Sequence, residues 1–99
     1  MLVITGSFRI PPANVHAARP AMAAMIAASR AEPGCLDYSY GEDVLDPGLI
    51  RVSERWADRA ALDAHAASAH LQAWRAAWPA LGIGARDLLL CETEDLRSI

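Results

Sequence analysis

Hydrophobic and polar positions change their period several times along this chain. Leu2 to Ile10 mixes β-branched and aromatic residues and stops at Pro11-Pro12, the pattern of a strand. Gly6 and Ser7 in its middle mark a bulge or a close approach by a ligand. From Val15 to Arg30, the positions Val15, Ala18, Met22, Met25, Ile26 and Ser29 recur at helical spacing, with Asn14 as N-cap. Pro20 removes one backbone hydrogen bond within this helix and predicts a kink or a late start, and Pro33-Gly34 must end it.

Cys35 to Tyr40 alternates, with Leu36, Tyr38 and Tyr40 on one face and Cys35, Asp37 and Ser39 on the other. Asp46-Pro47-Gly48 is a turn, because Pro presets φ and Gly accepts a positive φ. Leu49 to Trp56 then reads as a third strand, with Ile50, Val52, Glu54 and Trp56 on one face. Asp58 caps a second helix that starts at Arg59 and carries Leu62. Ser68 caps a second helical piece with Leu71, Trp74, Trp78 and Leu81 as its buried stripe, broken by Gly82 and Gly84. Asp87 to Thr93 is the fourth strand, and its continuous Leu88-Leu89-Leu90 centre predicts burial on both faces.

The order β-α-β-β-α-β is the ferredoxin-like α+β arrangement with an antiparallel sheet, in a single domain spanning residues 1–99. Its usual sheet puts the second and fourth strands at opposite edges. Cys35 and Cys91 would then lie on the order of 14 Å apart, beyond the reach of a disulfide.

Composition narrows the function classes. The apolar fraction is 54%, high for so small a domain, and predicts an extra apolar face covered by a partner subunit. The net charge of -3 and the absence of basic clusters argue against nucleic acid. All 9 basic residues are Arg, so Schiff-base chemistry and a P-loop are both excluded. No apolar run approaches the ~20 residues of a membrane span, and Met1-Leu2-Val3-Ile4-Thr5 lacks the basic start of a signal peptide. The 2 cysteines have no metal-site spacing and read as buried free thiols of a cytoplasmic protein.

Few residues carry evident chemistry. His65 and His70 lie five apart, and on a continuous helix they diverge by about 140°, so no shared metal is expected. His65 is a candidate pocket acid or base, since imidazole titrates close to neutrality. No serine elbow, cysteine–histidine neighbour or glycine-rich phosphate cradle is present. Glu54 reads as an internal or interfacial hydrogen-bond acceptor and Asp58 as a cap. The aromatic set Tyr38, Tyr40, Trp56, Trp74 and Trp78 concentrates on the hairpin and the second helix. Trp74 and Trp78 read as core, whereas Trp56, where strand hands over to helix, is placed to line a pocket.

The run Arg30-Ala31-Glu32-Pro33-Gly34-Cys35-Leu36-Asp37-Tyr38 resembles the approach to the second strand in the antibiotic biosynthesis monooxygenase family. Glu54-Arg55-Trp56-Ala57-Asp58-Arg59-Ala60-Ala61-Leu62-Asp63-Ala64-His65 is similar to the family's strand-to-helix signature, and Ser68-Ala69-His70 continues it. The resemblance covers nearly the whole chain. It implies a homodimer closed as an α/β barrel, with one pocket per subunit between sheet and helices. It also implies oxidation of a hydroquinone or polycyclic phenol by O2 without metal, flavin or other cofactor. Carried over by position, His65 is the acid or base, Trp56 a pocket wall and hydrogen-bond donor, and Tyr38 a further substrate-pocket residue. Tyr40 joins Tyr38 as a substrate-binding candidate only through its strand parity. Haem degradation is disfavoured, because the first strand offers Thr5, Gly6 and Ser7 instead of Asn, and the late helix Arg75 and Ala77 instead of a ligating His. Two further functions fit the same scaffold: a binding or stress-response module for an aromatic metabolite, and an isomerase or cyclase.

Overall fold

The computed structural model describes residues 1–99. Strand β1 spans Leu2–Arg9, a 3-10 turn covers Pro12–Asn14, and helix α1 runs over Val15–Arg30. Strands β2 (Cys35–Glu42) and β3 (Leu49–Trp56) follow, then helices α2 (Arg59–Ala66), α3 (Ala69–Ala76) and α4 (Trp78–Leu81), and finally strand β4 (Gly84–Glu92). The four strands form one antiparallel sheet in the order β2-β3-β1-β4. This is the ferredoxin-like α+β arrangement the hydrophobic pattern predicts, with the second and fourth strands at opposite edges. Both cysteines are free, but Cys35 is half-buried and Cys91 exposed, rather than both lying in the core.

One face of the sheet carries the core. From β1 and β3 it takes Leu2, Phe8, Ile50, Val52 and Trp56, and from α1 Val15, Ala18, Met22 and Met25. The period-2 alternation of β3 is complete, with Ile50, Val52, Glu54 and Trp56 all buried. The hairpin turn is fixed by a hydrogen bond from the Leu49 N–H to the Asp46 carbonyl (3.1 Å) and by Arg9, which holds both carboxylate oxygens of Asp46 at 3.2 and 2.8 Å.

Four local expectations are corrected. Asn14 does not cap α1; it sits in helical geometry, and its side-chain amide donates to the Leu81 carbonyl at 2.9 Å, tying the start of α1 to the end of α4. Helix α1 runs through Pro20 from Val15, so the late start does not occur. In β2 a register shift between Cys35 and Asp37 turns Leu36 outward (48% exposed) and packs Cys35 against the core, reversing their predicted faces. The Leu88-Leu89-Leu90 run is not buried on both faces. Leu89 and Leu90 are 67% and 47% exposed, because β4 is an edge strand paired only with β1 and no helix is laid across it.

Gly6 answers the question its position raised. It pairs with Val52 on one side and Leu88 on the other, and a Cβ there would lie 2.0 Å from the Asp87 carbonyl oxygen. The close approach is by the β4 backbone, next to a register shift between Ser7 and Arg9. Gly6→Ala is therefore expected to cost about 1–3 kcal/mol, as overpacking does. A urea midpoint within error of the parent would show that β4 simply moves aside.

Candidate functional site

The site lies between the sheet and the segment α2–α4, and a break in the second helical region builds it. Asp58 starts α2 by accepting the Ala61 N–H at 2.8 Å. Ser68 then does two jobs at once. Its hydroxyl donates to the His65 carbonyl at 2.6 Å, and the same oxygen accepts the Leu71 N–H that opens α3. The chain thus turns between His65 and His70 instead of continuing as one helix. This overturns the divergence expected of residues five apart: the two imidazole rings lie 5.9 Å apart, centroid to centroid.

Both rings reach the same carboxylate. His65 Nδ1 is 2.8 Å from Glu32 Oε1, and His70 Nε2 contacts that same oxygen. Glu32 comes from the turn between α1 and β2, directly before Pro33-Gly34. A carboxylate at Nδ1 holds a neutral His65 as the Nδ1–H tautomer and leaves Nε2 as its accepting nitrogen. His65 is buried (4% exposed), with its ring 4.6 Å from that of Trp56 and 5.2 Å from that of Tyr38.

His65 also lines a cavity of about 330 Å3, within the range of small-molecule sites. Its wall is mainly apolar and aromatic, including Phe8, Tyr38, Tyr40, Trp74 and Trp78. The polar groups that line it are His65, Glu54, Asp63, Arg75 and Arg86, together with the two tyrosine hydroxyls, which lie 3.3 Å apart. Burial pushes both tyrosine hydroxyls above the ordinary phenol range, so they remain neutral donors at physiological pH. The indole N–H of Trp78 is buried without a hydrogen-bond partner, and that of Trp74 has only the Tyr40 hydroxyl close by. An orphaned donor on a cavity wall suits a ligand with an acceptor oxygen.

The structure brings His65, Tyr38 and Tyr40 to one cavity, but it sets Trp56 behind the wall. Trp56 is completely buried, is absent from the cavity lining, and gives its Nε1–H to Glu54 Oε1 at 3.0 Å. Its donor therefore serves Glu54, and Glu54 faces the cavity. Burial is the main cause that raises the Glu54 carboxyl above the usual range; the Trp56 hydrogen bond and the positive fields of His65, Arg75 and Arg86 pull the other way. Sequence reasoning named Glu54 only as an internal or interfacial acceptor; Trp74 lies in the core as predicted and Trp78 packs against it, and both also line the cavity. The signal for Glu54 was its place two residues before Trp56 on the inward face of β3. Glu32 stood in a quoted motif, but nothing local linked it to histidines 33 and 38 positions away.

No helix is long and apolar enough to cross a membrane. The family model for antibiotic biosynthesis monooxygenase matches residues 1–77, from β1 through α3. Rv0793 of Mycobacterium tuberculosis, a candidate monooxygenase, is 36% identical over 75 residues, covering 76% of this chain and 73% of that protein. Its solved structure superposes with a TM-score of 0.82 at 31% identity over 98% of both chains. The Synechocystis sp. protein sll1783 is 34% identical over 64 residues, which cover 65% of this chain but only 44% of that protein. A candidate antibiotic biosynthesis monooxygenase from Deinococcus radiodurans shares the fold, with a TM-score of 0.91 and 23% identity over 100% of this chain and 98% of its own. The chain belongs to the antibiotic biosynthesis monooxygenase family.

Proposed function

We propose that the protein is a cofactor-independent monooxygenase that oxidises a hydroquinone or polycyclic phenol with O2. The observation that carries this reading is the oriented base. Glu32 fixes His65 Nδ1, and the ring borders an aromatic-walled cavity sized for a flat substrate. His65 Nε2 takes the phenolic proton, and the phenolate passes one electron to O2. The caged radical pair combines to a peroxide, which loses water to leave the new carbonyl of a quinone. For an anthrone the balance is substrate plus O2 giving anthraquinone plus water. The chain's own residues need only deprotonate, orient and exclude water.

In the Tyr38–Tyr40 hydroxyl pair one O–H is given to the other, so the pair supplies one neutral donor to a substrate oxygen, and the indole N–H of Trp78 supplies a second. Trp56 acts one step back, through Glu54 and by packing on His65. A homodimer accompanies this reading. The exposed Leu89 and Leu90 at the uncovered edge strand are surface that a second copy would bury, and residues 88–90 border the cavity.

The test is oxygen uptake by the chelator-treated protein with a panel of hydroquinones and anthrones. Uptake well above the autoxidation rate without protein, with matching quinone formation, is expected. Tight binding of the panel with no uptake would overturn the oxygenase in favour of a binding module. Product formed without oxygen would overturn it in favour of an isomerase or cyclase.

A further inference from the structure

We propose that Glu32, His65 and His70 form a binding site for one divalent first-row transition cation of the zinc class. Of these three residues only His65 also lines the aromatic cavity. The three donors come from three separate segments: the turn after α1, helix α2 and the start of α3. Glu32 Oε1, His65 Nδ1 and His70 Nε2 all lie within 4.8 Å of one another. The side chains are only 13%, 5% and 25% exposed, so the cluster is largely desolvated.

Hydrogen bonding alone leaves one feature without a reason. A carboxylate has two oxygens and could give one to each imidazole, yet Oε1 takes both rings while Oε2 has no protein partner. Lone pairs and N–H bonds of all three residues therefore point at one small region. Zinc-class bonds to imidazole and carboxylate are about 2.0–2.2 Å long, so a cation fits once the carboxylate rotates aside and yields its central position. Two imidazoles with one carboxylate suit zinc, cobalt or nickel better than the all-oxygen cations magnesium and calcium.

Access and remaining ligands are also present. Glu32, Ser68 and His70 line a cleft of about 510 Å3, which gives the ion a path in and room for water. Binding shifts the single hydrogen of each neutral imidazole to its other ring nitrogen, from Nδ1 to Nε2 on His65 and from Nε2 to Nδ1 on His70, with no net release of protons. The consequence for turnover rests on the oxygenase reading. With a cation on Nδ1, a neutral His65 carries its hydrogen on Nε2, so it becomes a donor towards the cavity and cannot accept the phenolic proton. An ion at this site switches the base off.

The test uses the chelator-stripped full chain with Zn2+ in calorimetry and Co2+ in visible absorption. One ion per chain and a cobalt d–d band are expected. His70→Ala and Glu32→Gln should each weaken binding by about 100-fold or more, whereas His16→Ala, on the exposed face of α1, should not. Absence of heat and of a band at millimolar cation, or full affinity in a folded His70→Ala protein, overturns the site. If the substrate panel shows no oxidation, these binding measurements still decide it. Where oxidation occurs, zinc should inhibit the parent and spare His70→Ala; saturation without inhibition overturns the coupling to the base.

Discussion

His65→Ala should lower the rate of phenol oxidation by about 10²-fold or more, the usual contribution of a positioned general base. The expectation rests on three contacts that converge on one ring. Glu32 fixes Nδ1, Trp56 and Tyr38 pack the faces, and the cavity opens beside it. Removing a buried ring also leaves a hole, so alanine by itself could lower the rate by loosening α2. His65→Asn separates the two effects. Its amide can still donate to Glu32, but it has no basic nitrogen to take a proton. Both variants should lose turnover, while asparagine keeps a thermal midpoint close to that of the parent. Substrate affinity, read from quenching of Trp74 and Trp78 fluorescence, should change only a few-fold. A folded His65→Asn protein that turns over at the parental rate would remove His65 from the chemistry.

The fold was legible because most elements carry their own periodicity. The β3 alternation ending at Trp56, the Asp58 cap and the Asp46-Pro47-Gly48 turn all depend on residues within a few positions of one another. Errors arose where a distant partner decides. Asn14 has the chemistry of an N-cap, but the Leu81 carbonyl, 67 residues away, takes its amide. The triple leucine of β4 has the composition of a doubly covered strand, yet its cover is set by which strands the helices cross, and they do not cross this edge. The bulge at Leu36 depends on the register against β3, which composition does not encode.

The site divides the same way. His65, Tyr38 and Tyr40 were nameable from helix and strand position and from a family motif, and all three reach the cavity. The meeting of His65 and His70 departs from the five-residue rule, and its cause lies in the sequence, where Ser68 caps a new helix between them. A cap between the two histidines means two helices, and the angular rule for one helix no longer applies to them. The assignment of Trp56 erred by one link: its N–H goes to Glu54, and that carboxyl is the group presented to the cavity.

Glu54 should therefore reveal itself in the dependence of stability on pH. Its carboxyl is buried (4% exposed), and burial raises its pKa in the folded chain above the ordinary 4.5. A raised folded pKa means that the native state holds this proton to higher pH than the unfolded chain does. The contribution to stability is complete below about 4.5 and is lost as pH rises through the folded value. Glu54→Gln keeps a carbonyl oxygen for the Trp56 N–H but cannot ionise. The two proteins should have similar urea midpoints in acid, and the glutamine variant should become the more stable one as pH rises. The gap grows by about 1.4 kcal/mol per pH step across the window in which only the unfolded chain ionises. All other ionisable groups are common to both proteins, so the difference isolates Glu54 and its neighbours. Glu54→Leu provides the contrast: it also removes the charge, but it strands the buried indole N–H, at a cost of about 1–3 kcal/mol. A difference between parent and glutamine variant that stays flat from acid to neutral pH would mean that Glu54 ionises as freely in the native chain as in the unfolded one. The cavity would then present an ordinary carboxylate to its ligand, and an anionic phenolate would meet repulsion where the present geometry offers a carboxyl that resists ionisation.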